Sequence, residues 1–295
     1  MSAAPLRELL AAATQRLAEV SETPRLDAEL LLAAALERPR SYLHAWPERV
    51  PEPDRATRFF AWLDRRQAGE PIAYLLGRRE FWSLELEVTP DTLIPRPETE
   101  LLVELALERL PADRTCALAD LGTGSGAIAL ALAVERPRAR IVATDLGPAA
   151  LTVARRNARR LNIGNIEFRE GDWCAPLVGE RFDLLVSNPP YIAATDPHWR
   201  QGDLRFEPAT ALVAGEDGLD ALRSIVAQAP AYLWAGGWLL LEHGYDQGEA
   251  VPNLLRQRGF VDVSDHRDAT QMSRASAGRW RAPFQAGQRL RLLYR

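Results

Sequence analysis

From Thr115 onwards the sequence alternates short apolar runs with longer segments of helical periodicity. The apolar runs predict strands over residues 117–121, 140–144, 166–169, 182–187 and 238–242. Strands that alternate with helices form an open, mostly parallel sheet with helices on both faces, because each parallel connection must cross the sheet. The sequence therefore predicts an α/β fold for this part of the chain.

The chain before this region has helical periodicity alone. Apolar residues recur at helical spacing between residues 5 and 73, and proline-containing breaks interrupt them at residues 21–24, 37–40 and 47–53. This pattern predicts a small α-helical bundle. A bundle of roughly 70 residues buries little core for an independent enzyme, which favours a role in docking a substrate.

A short connector joins the bundle to the α/β region. Residues 80–88 alternate with period two, which predicts a hairpin, and a proline-rich segment leads into a helix that ends near Leu110. We therefore predict a helical docking domain over residues 1–75, a hairpin and helix connector over 76–110, and the α/β domain over 111–295. A last strand is predicted over residues 289–294.

The charge distribution argues against a polyanionic partner. The formal net charge is −4, and it divides into −1 over residues 1–75, −9 over 76–255 and +6 over 256–295. A protein that coats nucleic acid is more basic than this. All 36 basic residues are arginine, which excludes chemistry that needs a lysine Schiff base or a P-loop lysine.

Cysteine usage and hydropathy predict a cytoplasmic protein. Cys116 and Cys174 lie at predicted core strands without C-x-x-C spacing, which fits a reducing compartment. The first 20 residues are interrupted by charges and form no secretory signal, and no apolar run is long enough to span a bilayer. The four histidines share no metal-ligand spacing, so we predict no metal site and no membrane partner.

A glycine-rich turn follows the first predicted strand. It comprises Gly122, Thr123, Gly124, Ser125 and Gly126, and its G-x-G-x-G spacing differs from the G-x-G-x-x-G dinucleotide fingerprint. Glycines let a ligand approach the backbone at a helix start, where free N–H groups lie. This predicts a ligand-binding turn, and a purely structural turn is the alternative.

Acidic and aromatic residues follow the next two strands. Asp145 ends the second strand and is placed to accept hydrogen bonds from a ribose diol. Asp172 and Trp173 follow the third strand, where a carboxylate and an indole suit an adenine; a core contact is the alternative for Trp173. Since the carboxyl ends of parallel strands meet at one edge, these residues predict a nucleoside pocket.

The fourth strand ends in the most specific signal of the chain, the tetrapeptide Asn188, Pro189, Pro190 and Tyr191. It suits methylation of a planar NH₂ group, which is a weak nucleophile because its lone pair is delocalised. The Asn188 side-chain oxygen and the Pro189 carbonyl can each accept one N–H. Pro190 fixes the turn, and Tyr191 offers a flat face for packing. Positioning is therefore the main catalytic contribution, and no strong base is required.

These residues resemble the class I S-adenosylmethionine-dependent methyltransferases of the N-P-P-Y type, and more narrowly the HemK/PrmC family. The resemblance covers nearly the whole chain and includes residues 69–81, 93–100, 188–191, 201–208 and 241–244. It implies a seven-stranded, mostly parallel, Rossmann-like methyltransferase sheet preceded by a small α-helical bundle domain. It also implies methylation of N5 of the glutamine in the Gly-Gly-Gln motif of class I peptide chain release factors.

The resemblance also implies the partners and the role of each site residue. The cofactor would be S-adenosylmethionine, and the protein partner a class I release factor. The glycine turn would face the methionine end of the cofactor, Asp145 its ribose and Trp173 its adenine region. Asn188 would contact both cofactor and substrate, and the tetrapeptide that ends at Tyr191 would form the glutamine slot.

The connector distinguishes two branches of the family. The sister family that methylates a ribosomal-protein glutamine tends to carry a Pro-Arg-Ser-Pro form here, whereas this chain has Pro95, Arg96, Pro97 and Glu98. This favours the release-factor branch. Arg96 and Glu98 would either line the glutamine slot or pair with each other as a cap of the next helix.

Three other functions are alternatives. They are glutamine methylation of a ribosomal protein, N6-adenine-type methylation of a flipped base in nucleic acid, and docking by a protein that has lost catalysis. The acidic middle of the chain argues against nucleic acid, and the intact tetrapeptide beside an intact glycine turn argues against lost catalysis. Residues 269–275 depart from the family pattern and the likeness resumes at Gly278 and Arg279, so the resemblance covers the pocket but leaves the last hairpin of the sheet unassigned.

Overall fold

The computed structural model describes residues 4–112 and 115–281, which form two compact units. The helical unit comprises Met1–Arg79, Glu87–Ile94 and Pro197–Ala209. The sheet unit comprises Glu80–Leu86, Pro95–Asp196 and Thr210–Arg295. No helix in the described part of the chain is both long and apolar enough to cross a membrane.

The helical unit contains the predicted bundle. Its helices are α1 Leu6–Leu17, α2 Pro24–Leu36, α3 Arg40–Ala45, α4 Pro53–Gln67 and α5 Ile72–Leu76. Proline begins α2 and α4, where its fixed φ suits the first helical position and its missing N–H costs nothing. The core is formed by side chains such as Leu10, Leu31, Leu32, Phe59 and Leu63. The predicted bundle and its three breaks are therefore confirmed.

The helical unit is completed by residues 87–94, which follow the hairpin, and by residues 197–209, which are distant in sequence. Phe206 packs against a cluster of Ala73, Tyr74, Val88 and Ile94. The Glu207 carboxylate accepts the Ile94 N–H at 3.0 Å. Residues 197–209 thus belong with the helices rather than with the sheet.

The sheet unit contains a seven-stranded sheet. Its strands are β3 Ala117–Leu121, β4 Arg140–Asp145, β5 Ile166–Glu170, β6 Phe182–Ser187, β7 Leu233–Glu242, β8 Phe260–Arg267 and β9 Ser273–Trp280. The spatial order is β5-β4-β3-β6-β7-β9-β8; β3 to β7 are parallel, and β9 is antiparallel to both neighbours. This confirms the predicted mostly parallel sheet. The predicted hairpin forms separately as β1 Arg78–Phe81 and β2 Leu84–Glu87.

Hydrophobic cores cover both faces of the sheet. Leu118 and Ala119, neighbours on β3, belong to different clusters because successive strand residues face opposite sides. The covering helices are α6 Glu100–Arg109, α7 Ala127–Glu135, α8 Pro148–Arg160, α9 Asp220–Gln228 and α10 Ala250–Arg258. Residues 127–133 of α7 are all buried, as expected for a helix that is apolar all round.

The structure differs from the sequence prediction in the last strands. β7 begins at Leu233 rather than at residue 238, and its pairing with β6 shifts register before Trp238. Gly236 and Gly237 lie in this irregular part, which hid it from the apolar pattern. Residues 269–275, which depart from the family pattern, form the connection and the start of β9 in an antiparallel hairpin whose pairing with β8 shifts register twice. The strand predicted over residues 289–294 lies outside the described residues.

Candidate active site

The candidate site is built where the parallel strands end. Leu121 pairs with Thr144 across β3 and β4, and Ser187 pairs with Leu241 across β6 and β7. The Ser187 hydroxyl donates to the Leu121 carbonyl at 2.6 Å, which joins the ends of β3 and β6. The turns that follow these strands therefore start from one edge of the sheet.

The glycine turn wraps back onto the neighbouring strand. The N–H groups of Gly122 and Thr123 both donate to the Thr144 carbonyl at 2.9 Å. Gly122 has φ +73°, and a Cβ there would lie 3.0 Å from the Trp173 indole, so only glycine fits. Gly124 has φ +56°, and a Cβ there would meet nothing within 4 Å. The turn thus presents open backbone at Gly124.

Asp145, the last residue of β4, borders this open space. One carboxylate oxygen accepts the Gly124 N–H and the other the Gly147 N–H, both at 2.8 Å. Burial raises the pKa of Asp145, and these two backbone hydrogen bonds oppose the shift. Leu146, the next residue, is 67% exposed, which is unusual for a leucine and supplies an apolar surface beside the carboxylate.

The two non-glycine residues of the turn face inwards. Thr123 and Ser125 are buried. The Thr123 hydroxyl donates to Asp120 at 2.6 Å, and the Ser125 carbonyl accepts from Asn157 at 3.0 Å. These contacts hold the turn rather than offer side chains to a ligand.

Asp120 is a site residue that the sequence reasoning missed. It is fully buried at the end of β3, and its Oδ2 accepts hydrogen bonds from Thr123 and from the Ala129 N–H. Its Oδ1 has no partner among the described residues. Burial raises its pKa to about 7. An acidic residue at the end of an apolar run, just before the glycine turn, was the signal available in the sequence.

Trp173 and Asp172 follow β5 with different surroundings. Trp173 has φ +43°, and the Thr144 hydroxyl donates to its carbonyl at 2.9 Å. A non-glycine residue in the left-handed region is strained, and its indole lies against Gly122 at the rim of the open space. The Asp172 side chain is exposed.

The tetrapeptide turn is held at both ends. The Asn188 Nδ2 donates to the Thr99 Oγ1 at 3.0 Å, and the Tyr191 hydroxyl donates to the Glu242 Oε1 at 3.3 Å. Gln247 donates to the Tyr191 carbonyl at 3.0 Å. Burial raises the pKa of Tyr191, which keeps its hydroxyl protonated.

Pro189 and Pro190 lie between these anchored residues. Pro189 is buried, whereas Pro190 is partly exposed. Their rings fix φ and supply no N–H, so the turn presents carbonyl acceptors without competing backbone donors at these two positions.

Thr99 and Glu242 are two further residues that the sequence reasoning missed. Both are buried, and the Thr99 hydroxyl acts to lower the pKa of Glu242. Burial raises the pKa of Glu242 to about 7, and the charge of Arg274 opposes the shift. Periodicity predicts Thr99 only as a helix start and Glu242 only as a strand end.

Arg96 directly precedes the short 3-10 turn Pro97–Thr99, and Glu98 lies within it. The Arg96 charge acts to lower the pKa of Tyr191, and the Glu98 charge acts to raise that of Glu242. Both charges therefore act on the tetrapeptide end of the site. Their role in lining a glutamine slot stays a prediction.

The structure brings the glycine turn, Asp145, Trp173 and the tetrapeptide to one edge of the sheet. Asp172 lies at the same edge but faces solvent. Within residues 4–112 and 115–281, no group of three histidine, cysteine or acidic side chains is arranged to hold a metal ion. Cys116 and Cys174 are buried free thiols.

The fold is shared with solved methyltransferases at low sequence identity. A T. thermophilus 16S rRNA N2 G1207 methyltransferase, solved with AdoMet and guanosine, matches with a TM-score of 0.52 at 22% identity, covering 69% of this chain and 50% of that one. The hMettl16 catalytic domain, solved with an RNA hairpin, matches with a TM-score of 0.54 at 18% identity, covering 76% of this chain and 83% of that one. These likenesses establish the fold alone.

Comparisons of the sequence identify the family, which the structural likenesses do not. The description "PrmC N-terminal domain" matches residues 8–77, and "Methyltransferase small domain" matches residues 99–203. A release factor glutamine methyltransferase of Pseudomonas aeruginosa is 56% identical over 88% of this chain and 94% of its own length. The Xylella fastidiosa and Escherichia coli proteins of the same name are 54% and 50% identical, over 92% and 89% of this chain and 96% and 94% of their own. The chain therefore belongs to the family of release factor glutamine methyltransferases.

Proposed function

We propose that this enzyme transfers a methyl group from S-adenosylmethionine to N5 of the glutamine in the Gly-Gly-Gln motif of class I peptide chain release factors. The observation that carries the proposal is the Asn188 side chain, whose Nδ2 is bound by Thr99 while it stands beside the glycine turn. This leaves the Asn188 oxygen to accept from a substrate amide. The family membership supports the same reaction.

The glycine turn and Asp145 have the chemistry that a nucleoside cofactor requires. A side chain at Gly124 would fill the open space, and the Asp145 carboxylate at its border suits a ribose diol. The Trp173 indole and the exposed Leu146 offer flat and apolar surfaces for a base. When bound, the cofactor supplies an electrophilic methyl carbon on a sulfonium sulfur.

The tetrapeptide orients the substrate nitrogen. Asn188 Oδ1 and the Pro189 carbonyl each accept one N–H of the glutamine amide, so its plane is fixed and its lone pair faces the methyl carbon. Pro190 keeps the turn rigid, and the Tyr191 ring packs against the amide plane. When bound, the cofactor would supply a methyl carbon that bonds to this nitrogen as its bond to sulfur breaks, with S-adenosylhomocysteine as the product. The methylated nitrogen is acidic and would release its proton to solvent without a strong base.

A single glutamine carries too little information for specificity, so binding away from the reacting group is needed. We propose that the helical domain, residues 1–75, contacts the release factor for this purpose. The acidic charge over residues 76–255 favours a protein substrate over nucleic acid.

The test is transfer of labelled methyl from S-adenosylmethionine to four purified acceptors in parallel: a class I release factor, a large-subunit ribosomal protein, bulk RNA and bulk DNA. We expect label on the release factor only. The matched control is a release factor in which glutamate replaces the glutamine of Gly-Gly-Gln, and it should remain unlabelled. Label on the ribosomal protein or on nucleic acid alone would contradict the proposal.

A further inference from the structure

One buried glutamine, Gln247, connects three loops at the tetrapeptide end of the site. It is 8% exposed and lies on a short 3-10 turn, Tyr245–Gln247, shortly after β7. Its Oε1 accepts from the Gly244 N–H at 2.9 Å. Its Nε2 donates to the Tyr191 carbonyl at 3.0 Å and to the Gly218 carbonyl at 3.4 Å. The side chain therefore joins backbone groups that follow β6, precede α9 and follow β7.

The direction of the Gln247 amide is fixed by these partners. A backbone N–H can only donate and a backbone carbonyl can only accept, so Gly244 selects the oxygen and the two carbonyls select the NH₂ group. Turning the amide over would set its oxygen against two carbonyls and its NH₂ group against an N–H, at a cost in unsatisfied buried groups. Gln247 is thus an obligatory donor to the Tyr191 carbonyl.

Gly218 leaves the room that this contact requires. It has φ +74°, in the left-handed region, and a Cβ there would overlap the Tyr191 carbonyl oxygen and lie 3.0 Å from the Gln247 Nε2. Glycine therefore lets the loop before α9 approach the same carbonyl. Two residues that are distant in sequence are both adapted to one carbonyl group of the tetrapeptide.

The residues that follow the tetrapeptide pair with the chain before α9. The Ile192 N–H donates to the Leu212 carbonyl at 2.9 Å, and the Ala194 N–H donates to the Gly215 carbonyl at 2.8 Å. Gln247 adds a side-chain contact to both of these stretches, because it bonds to a carbonyl in each. The exit of the tetrapeptide turn is thus held by backbone pairing and by Gln247 together.

The two prolines make the position of this exit important for the whole turn. Their rings fix φ, so the turn has few ways to absorb a displacement of Tyr191. In the proposed reaction, the Pro189 carbonyl accepts one N–H of the substrate amide, and its direction depends on how the turn is held. A misplacement of about 1 Å in such a group can cost about 10²-fold in rate.

We propose that Gln247 is a positioning residue: by binding the Tyr191 carbonyl, it holds the exit of the tetrapeptide turn so that the Pro189 carbonyl faces the substrate amide. The part of this inference that concerns the substrate rests on the proposed function, whereas the hold on the turn does not.

The first test compares Gln247→Met with Gln247→Glu. Methionine fills a similar space without the hydrogen bonds, so kcat for release-factor methylation should fall by about 10- to 100-fold from pH 6 to pH 9, with KM for S-adenosylmethionine within about 3-fold. A glutamate carboxyl has the shape of the amide but donates to the Tyr191 carbonyl only when protonated. Relative to the unmodified enzyme, kcat of Gln247→Glu should therefore rise at least about 10-fold as pH falls from 9 to 6. An unchanged kcat in Gln247→Met, or a pH-independent ratio for Gln247→Glu, would overturn the proposal.

Other titratable and charged groups near Gln247 are common to all three proteins. Those on its own turn and on the neighbouring elements include Asp246, Glu242, His243, Tyr191, Asp217 and Arg274. Dividing each kcat by that of the unmodified enzyme at the same pH removes their contribution. Gln247→Met adds no titratable group, so its ratio should stay constant with pH.

The second test reaches the same carbonyl from Gly218. Gly218→Ala places a methyl group against the Tyr191 carbonyl, so we expect kcat to fall by at least about 10-fold. Gly179→Ala is the matched control, because Gly179 has φ +85° and a Cβ there would meet nothing within 4 Å. It carries similar backbone strain without the overlap, and kcat should stay within about 2-fold. Equal kcat values for the two variants would contradict the proposal.

Amide hydrogen exchange separates this inference from the proposed function. The Ile192 N–H reports the pairing after the tetrapeptide, and the Ile141 N–H, which donates to the Asn165 carbonyl at 3.1 Å, reports the start of β4. In Gln247→Met we expect Ile192 to exchange at least about 10-fold faster, while unchanged exchange at Ile141 shows that the variant is folded. If the unmodified enzyme transfers no methyl group to the release factor, the proposed function fails, and exchange at Ile192 alone decides whether Gln247 holds the turn. Equal exchange at Ile192 in the variant and the unmodified chain would refute it.

Discussion

Two pairs of buried acidic side chains, Asp27 and Glu29 in the helical unit and Asp120 and Glu242 in the sheet unit, are accommodated by opposite means. In the helical unit, Asp27 accepts from the Arg66 Nε at 2.8 Å, and Arg66 is itself buried. Glu29 accepts from Arg25 and Arg40, both at 2.7 Å. Burial acts to raise the pKa of Glu29, but the hydrogen bonds from these two guanidinium groups outweigh it and lower the pKa.

In the sheet unit, the buried acids of the site are held by neutral donors. Asp120 is bound by the Thr123 hydroxyl and the Ala129 N–H, and Glu242 by the Tyr191 hydroxyl. Burial raises the pKa of both carboxyls to about 7. Each also has one oxygen without a partner in the described part of the chain.

The difference separates two uses of a buried charge. A guanidinium neutralises the acid and turns the pair into part of the scaffold. Neutral donors compensate the charge less than a guanidinium does, which lowers stability but leaves a local field that orients hydroxyl and amide groups. We therefore expect substitutions in the helical unit to act on folding, and those in the site to act on chemistry.

The largest effect is expected where a scaffold pair is broken. Arg66→Met leaves Asp27 buried without a cation, so the free energy of unfolding should fall by about 3–5 kcal/mol. Denaturant unfolding followed by circular dichroism measures this. A loss below about 1 kcal/mol would show that the pair is not part of the scaffold.

The next largest effect is expected on the rate of catalysis and not on stability. Asn188→Ala should lower kcat by about 10²–10³-fold, by analogy with the loss of one preorganised polar contact, and should change S-adenosylmethionine affinity much less. The matched control is Asn165→Ala, whose Nδ2 donates to the Arg136 and Ala139 carbonyls. That change should reduce the free energy of unfolding by about 1–2 kcal/mol and leave kcat unaltered. A loss of kcat in Asn165→Ala, together with a loss of stability alone in Asn188→Ala, would contradict the distinction between scaffold and site.

The two kinds of acid should also respond oppositely to pH. For Glu242 the pKa is raised from 4.5 to about 7 on folding, so its protonation contributes stability that is present below pH 4.5 and lost as pH rises through 7. Glu242→Gln lacks this loss, and its free energy of unfolding relative to the unmodified chain should rise by about 1–3 kcal/mol between pH 5 and pH 8.

Glu29→Gln is the matched control for this pH series. Because the pKa of Glu29 is lowered on folding, the stability that its charge provides is present above pH 4.5 and is lost as pH falls below it. Thermal unfolding of both variants from pH 4 to pH 8 checks the two signs. The same slope for both would remove the proposed distinction.

The smallest effect is expected at an exposed pair of the helical unit. Arg16 donates to Asp64 at 2.6 Å, but both side chains reach solvent. Arg16→Met should therefore change the free energy of unfolding by less than about 1 kcal/mol, and salt should reduce the change further. A loss as large as that of Arg66→Met would show that pairing matters more than burial.

Local periodicity predicted most of the fold. The bundle, the hairpin and the parallel strands follow from apolar spacing and proline breaks within short windows of sequence. The start of β7 was missed because Gly236 and Gly237 interrupt the apolar run. Residues 197–209 were not assigned to the helical unit, since their short 3-10 turns carry no periodicity and their partners are distant in sequence.

The candidate site was predictable only where residues adjoin in sequence. The glycine turn and the tetrapeptide are contiguous motifs, and parallel strands with aligned ends bring them together. The set of hydrogen bonds that pairs Asn188 with Thr99 and Tyr191 with Glu242 joins three separate parts of the chain. No window of sequence contains it. Side-chain hydrogen bonds of this kind become visible only with coordinates.

The segment 197–209 makes the chain resistant to modular exchange. It leaves the sheet unit soon after the tetrapeptide, packs with the helices, and returns at Thr210. Asp203 is held by Arg66, and Arg205 donates to the Ala68 carbonyl, so excision of residues 1–75 would strip both of their partners. Transplanting the helical unit would require moving three stretches of sequence together. A chimera with a single junction would keep only one partner of each of these contacts.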